Sequence, residues 1–143
     1  MKISEKGINF IIKEEGEVLT SYRCAAGVWT IGVGHTGKDV APKMKITQEK
    51  SRELLRADLS TFERAVNTYI KVKLEQCQFD ALVSLAFNIG TGNFSRSTLV
   101  KKINSSAPTE EIEIEFRRWR YAAKKPILLE RRKREVRLYK GEL

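Results

Sequence analysis

Four side chains in the first quarter of the chain have types and spacings that could do chemistry. Glu15 continues the i, i+3, i+4, i+7 face set by Ile8, Ile11 and Ile12, so it takes an apolar-face position on a helix. A carboxylate there is either paired with a cation or raised in pKa by desolvation. A raised pKa makes a general acid at neutral pH. The plainer alternative is a helix-end glutamate that points into solvent beside Glu14. Cys24 follows nine residues later and reads as a small hydrophobe or as a thiolate nucleophile or base, with Arg23 as its cationic neighbour. Thr30 could orient a water by hydrogen bonding, or could serve only as β-branched strand packing. His35 is the only histidine, and no Cys or carboxylate cluster with zinc spacing accompanies it, so a structural hydrogen bond is its expected role and no metal site is expected.

The elements that must position these groups can be read from periodicity. Ser4 is an N-cap candidate, with Ile3 and Ile8 as a hydrophobic staple, and Gly16 is placed to stop the helix. Within GVWTIGVGHTG, Val28, Thr30, Gly32 and Gly34 alternate with Trp29, Ile31, Val33 and His35, which predicts short strands or a hairpin. The glycines there let the backbone approach a ligand or another segment, but they match neither a phosphate loop nor a dinucleotide fingerprint, so no nucleotide cofactor is expected. Thr47 is a second N-cap candidate before the stripe Leu55, Leu59, Phe62, Val66. Residues 79–89, FDALVSLAFNI, are apolar on all faces, which suits a helix through the centre of a domain, ended by Gly90 and Gly92. Leu99, Val100 and Ile103 mark a short helix. Pro108 and Thr109 open another towards Trp119, although Ile112, Ile114 and Phe116 would equally satisfy a strand. Pro126 suits the first turn of a last helix running through Leu138.

Composition bounds the function class. At 143 residues, with 41% hydrophobic and 31% charged residues, the chain is expected to form one continuous domain, 1–143, with no repeat, low-complexity tract or linker. Cys24 and Cys77, 53 positions apart, make no disulfide framework. The apolar runs are too short to span a bilayer, and the N-terminal apolar residues are too interrupted for a signal peptide. The net charge is +9, and residues 117–143 carry eleven bases against three acids, so nearly the whole excess sits there. Such asymmetry predicts a polyanionic partner, whether nucleic acid, acidic lipid or cell wall, or else a solvated basic face.

EEG at 14–16, YRC with GVWTIGVGHTG within 22–37, and QFDALVSLAFNIGTGNFSRSTLVKKIN at 78–104 resemble the bacteriophage lysozymes, or endolysins, of the lambdoid type. RRWRYAAKKPILLERRKREVRLYKG is similar to that family's arginine-rich C-terminal helix, but glycines usual near 123–128 are Ala, Lys and Leu here. The resemblance implies an α+β fold, mostly helical, with a small N-terminal β-sheet lobe and a cleft between lobes that binds peptidoglycan. It also implies a catalytic Glu, then Asp or Cys nine positions on, then Thr six further, which Glu15, Cys24 and Thr30 fit. His35, Asn88, Arg131 and Arg132 are carried over as substrate-binding or supporting residues, with Arg131 or Arg132 placed to temper Glu15 by pairing.

The implied reaction is cleavage of the β-1,4 bond from N-acetylmuramic acid to N-acetylglucosamine, with no cofactor. Glu15 would protonate the leaving oxygen, and Cys24 would attack the sugar or help Thr30 hold a water. The expected partner is peptidoglycan, not nucleic acid, with transient electrostatic contact to an anionic cell surface. The implied setting is a monomer held in the host cytoplasm until a holin gives access to the wall. The competing readings are an inactive wall-binding protein of this fold, and a membrane-active or nucleic-acid-binding protein working through its basic tail.

Overall fold

The computed structural model describes residues 1–143 and is 57% helical, with one small antiparallel sheet. In chain order come α1 (Glu5–Glu15), β1 (Val18–Arg23), β2 (Trp29–Gly32), β3 (His35–Thr36), α2 (Gln48–Tyr69), α3 (Gln76–Ile89), α4 (Thr91–Arg96), α5 (Thr98–Asn104), α6 (Thr109–Arg118) and α7 (Leu129–Tyr139). The residues group into two compact units, Ile8–Ser60 and Met1–Gly7 with Thr61–Leu143. The expected fold class, α+β with a small N-terminal sheet, is the one observed. No helix is long and apolar enough to cross a membrane.

Unit Ile8–Ser60 carries the sheet. Its strands run β1-β2-β3 in order, with Tyr22 opposite Thr30 and Arg23 opposite Trp29 in one pair, and Thr30 opposite Thr36 and Ile31 opposite His35 in the other. A bulge between Val18 and Tyr22 shifts the β1 register. The outer edge of β1 is partly paired by the segment before α2, through Ser21 N–H to Met44 O at 2.8 Å and Ile46 N–H to Leu19 O at 2.9 Å, which removes exposed edge donors. Ile8, Ile11, Ile31, Val33, Leu55 and Leu59 are buried and form the core residues of this unit. Each such side chain contributes about 1.5–3 kcal/mol by leaving water.

Local chemistry sets the ends of the helices. Ser4 Oγ accepts the Gly7 N–H at 3.1 Å, capping α1, and Thr47 Oγ1 accepts the Lys50 N–H at 3.1 Å, capping α2. Gly16, at φ +82°, closes α1 with its N–H on Ile12 O at 2.8 Å, a conformation that costs a glycine little.

In the other unit α3 is the central helix, with Phe79 through Ala86 all buried, and α7 packs along it. Gly90 ends α3, but Gly92 does not, because the chain turns at once into α4 and Gly92 lies inside that helix. The ambiguity at residues 112–116 resolves to helix. Ile112 and Phe116, four apart, are buried while Ile114 is exposed, which is helical rather than strand spacing. Pro126 is not in the first turn of the last helix, since α7 begins at Leu129 and Pro126 belongs to the turn before it.

Candidate active site

Three of the chemically promising residues are set by the sheet. Cys24 is half-buried at the turn that joins β1 to β2, where its N–H donates to Val28 O at 2.9 Å and its carbonyl accepts the Gly27 N–H at 2.8 Å. Thr30, buried on β2, sends its hydroxyl proton to the same Val28 carbonyl at 2.9 Å. The Cys24 thiol is held below its ordinary pKa by hydrogen bonds to the sulfur, first from the Val28 backbone, then Ala26, with a smaller share from the Thr30 hydroxyl. Partial burial opposes this and loses. Thr30 has one proton for two acceptors, so ionisation of Cys24 can draw it from the Val28 carbonyl to the sulfur. The Arg23 guanidinium lies 5.2 Å from the centre of the Trp29 ring, so the cation beside Cys24 in sequence is stacked across the hairpin.

Glu15 requires a correction. The expected face is apolar through Ile8 and Ile11, both buried, and half-buried at Ile12, but Glu15 itself is exposed. It is the last residue of α1 and Gly16 ends the helix there, so no further turn covers it. Desolvation by an apolar helix face therefore does not explain a proton-donor role.

His35 on β3 is clamped between carboxylates. Nδ1 lies 2.7 Å from Asp58 Oδ2 and Nε2 lies 2.9 Å from Asp39 Oδ2. Burial pulls its pKa down, but the hydrogen bonds and charges of Asp58 and Asp39 outweigh it and the pKa is raised; the Asp39 carboxyl is lowered by its bond to His35. Both ring nitrogens of His35 are thus filled by carboxylates. No group of three His, Cys, Asp or Glu side chains is arranged to hold a metal ion.

Asn88, Arg131 and Arg132 belong to the helical unit and meet between α3 and α7. The Arg132 Nη2 donates to Asn88 Oδ1. Arg131 and Arg132 flank a fully buried carboxylate, with Arg131 Nε 3.2 Å from Glu135 Oε2 and Arg132 Nε 3.2 Å from Glu135 Oε1. Ser84 donates its hydroxyl to Glu135 Oε2 at 2.6 Å, and Arg131 Nη2 reaches Ser84 O and Oγ, both at 3.4 Å. Burial pushes the Glu135 carboxyl up while Arg132 and Arg131 pull it down.

The sequence reading missed Glu135, Ser84, Asp58 and Asp39. Two of these had a signal: Glu135 stands four residues after Arg131 and three after Arg132, the spacings that pair on a helix, and Ser84 interrupts the otherwise apolar run 81–87 of α3. Asp58 had none, because its partner lies 23 residues away on a strand.

The sequence family described as phage lysozyme matches residues 12–135. The endolysin of Salmonella phage P22 is 46% identical over 144 aligned residues, covering 97% of this chain and 98% of that protein. A solved variant of P22 lysozyme superposes with a TM-score of 0.93 at 46% identity, covering 97% of this chain and 98% of its own. The muramidase domain of SpmX from Asticaccaulis excentricus superposes with a TM-score of 0.86 at 33% identity, covering 96% and 97%. A chain with the three-stranded sheet, the central α3 and these near full-length relatives belongs to the phage lysozyme family, and it is a peptidoglycan-hydrolysing glycoside hydrolase, a muramidase.

Proposed function

We propose that Glu15 delivers the proton to the leaving glycosidic oxygen and that Cys24, with Thr30, stabilises or attacks the sugar carbon left behind. The observation that carries this reading is the Cys24 turn, where backbone amides and the Thr30 hydroxyl favour the thiolate. An ordinary thiol would be only a few per cent ionised at neutral pH. As nucleophile, the thiolate forms a bond to the anomeric carbon as the glycosidic bond breaks and Glu15 protonates the departing oxygen; water then releases the sugar with retention. As base, it takes a proton from a water held by Thr30, and that water attacks in one step with inversion. His35, Asn88, Arg131 and Arg132 act as supports, and residues 1–143 work as one catalytic domain that needs no metal or cofactor.

The same reading holds the protein as a monomer in the host cytoplasm until a holin opens the way to the wall. Its basic segment then makes transient electrostatic contact with the anionic cell surface. Cleavage of purified peptidoglycan by Cys24→Ala and Cys24→Asp, with the anomer of the new reducing end read by NMR, tests the site. The alanine variant should lose about a hundred-fold or more, the aspartate variant should remain active, and the anomer assigns the route. Full activity in Cys24→Ala would remove the residue from the chemistry.

A further inference from the structure

The connection from α6 to α7 is a closed, outward-facing hairpin rather than a slack loop. Ala122 and Lys125 exchange both backbone hydrogen bonds, at 2.9 and 3.0 Å, and the Leu128 N–H donates to Arg120 O at 2.9 Å. The two corner residues, Ala123 and Lys124, hold φ at +52° and +66°, as a tight mirror-image hairpin turn requires. Its flanks carry the two most exposed large hydrophobic residues of the chain, Tyr121 at 56% and Ile127 at 67%. From Phe116 to Leu129 the sequence has five bases, Arg117, Arg118, Arg120, Lys124 and Lys125, and no acid. The Arg120 guanidinium lies 5.1 Å from the centre of the Tyr121 ring.

We propose that this hairpin docks the enzyme on an anionic lipid bilayer, as an accessory to hydrolysis. Lys124 and Lys125 at the corner meet lipid phosphates, Arg118 being already paired with Glu115 at 3.2 Å, while Ile127 and Tyr121 enter the headgroup region, where an amphipathic ring and a branched aliphatic side chain lose water at little cost. A soluble polyanion would engage the same bases but would give Ile127 and Tyr121 nothing to bury against. The lipid surface is therefore the partner that uses both features. The hairpin's hydrogen bonds fix these groups in advance, so little ordering is needed on contact.

The test is co-sedimentation of the full chain with vesicles of one-third phosphatidylglycerol in phosphatidylethanolamine, beside vesicles of phosphatidylcholine alone. Wild type should bind the first and not the second. Lys124→Gln with Lys125→Gln should weaken binding by roughly five-fold per lysine, and Tyr121→Ser with Ile127→Ser by about ten-fold. Both double variants should keep the wild-type melting temperature and the wild-type rate on purified peptidoglycan, which tests the hydrolase separately. The Tyr121/Ile127 pair decides between lipid docking and a purely electrostatic contact, and Tyr121→Gln with Ile127→Thr takes its place if the serine pair fails to fold. The proposal is overturned by no binding to the anionic vesicles, by equal binding to the neutral ones, or by variants that bind like wild type. Normal binding by the Tyr121/Ile127 variant alone would mean a purely electrostatic contact with polyanions and would also overturn it.

Discussion

The nine-residue step from Glu15 to Cys24 spans the end of a helix and the whole of β1, and the six-residue step to Thr30 crosses the turn and enters β2. Spacing in the sequence thus encodes a hairpin that delivers Thr30 to the carbonyl which also holds the Cys24 amide. The chemical consequence is a thiol whose pKa lies below its ordinary value, because its ionised form collects donors that the neutral form uses less well. The rate of peptidoglycan cleavage should therefore rise with pH through a group that titrates lower than an ordinary thiol. In Cys24→Asp that rise should leave the neutral range, since a free aspartate titrates near 3.9. A pH–rate profile of both proteins checks this, and an unmoved limb in Cys24→Asp would assign the titration to another residue.

At the scale of elements, β3 is two residues long and contributes little by its own pairing, so the His35 clamp between Asp39 and Asp58 does much of its anchoring. His35 has a raised folded-state pKa, so its contribution to stability is full below the unfolded value of about 6.5 and is lost as pH rises through the folded value. The stability gap between wild type and His35→Asn should accordingly be widest near pH 5 and narrow as the pH is taken above about 6.5. Chemical denaturation across that range reads it, and a gap that is constant with pH would show that the clamp acts through packing alone.

Legibility differs among the elements for physical reasons. The caps at Ser4 and Thr47, the stop at Gly16 and the largely apolar run 79–89 of α3 were readable because each is a local pattern. The start of α7 was not, because Pro126 is equally compatible with a helix start and with the turn that precedes one. Of the two readings open for Glu15 the exposed helix end is the observed one, because periodicity gives the face of a helix but not where that face runs out. The Glu135 cluster was half legible, since its spacing to Arg131 and Arg132 is local but its burial comes only from packing against α3.

For the whole molecule, net charge and its placement outlast any single contact. Eleven bases and three acids in residues 117–143 give one end of the chain a strong positive field, although Arg131, Arg132 and Glu135 show that part of this charge is spent inside. What remains exposed should speed encounter with anionic walls at low ionic strength and do so less as salt screens it, with a Debye length near 10 Å at 0.1 M. Lysis of intact walls should slow several-fold as ionic strength is raised from low to physiological, while cleavage of short soluble wall fragments changes far less. Equal rates on walls at all salt concentrations would make the basic segment a solvated face.

If Glu15 is the acid of this muramidase, release of new reducing ends from purified peptidoglycan must separate wild type from Glu15→Gln, with reductant present to keep Cys24 a thiol. Cleavage by the wild type that falls by about a hundred-fold or more in the variant is the predicted result. Equal cleavage by both proteins would contradict it and move the active site elsewhere.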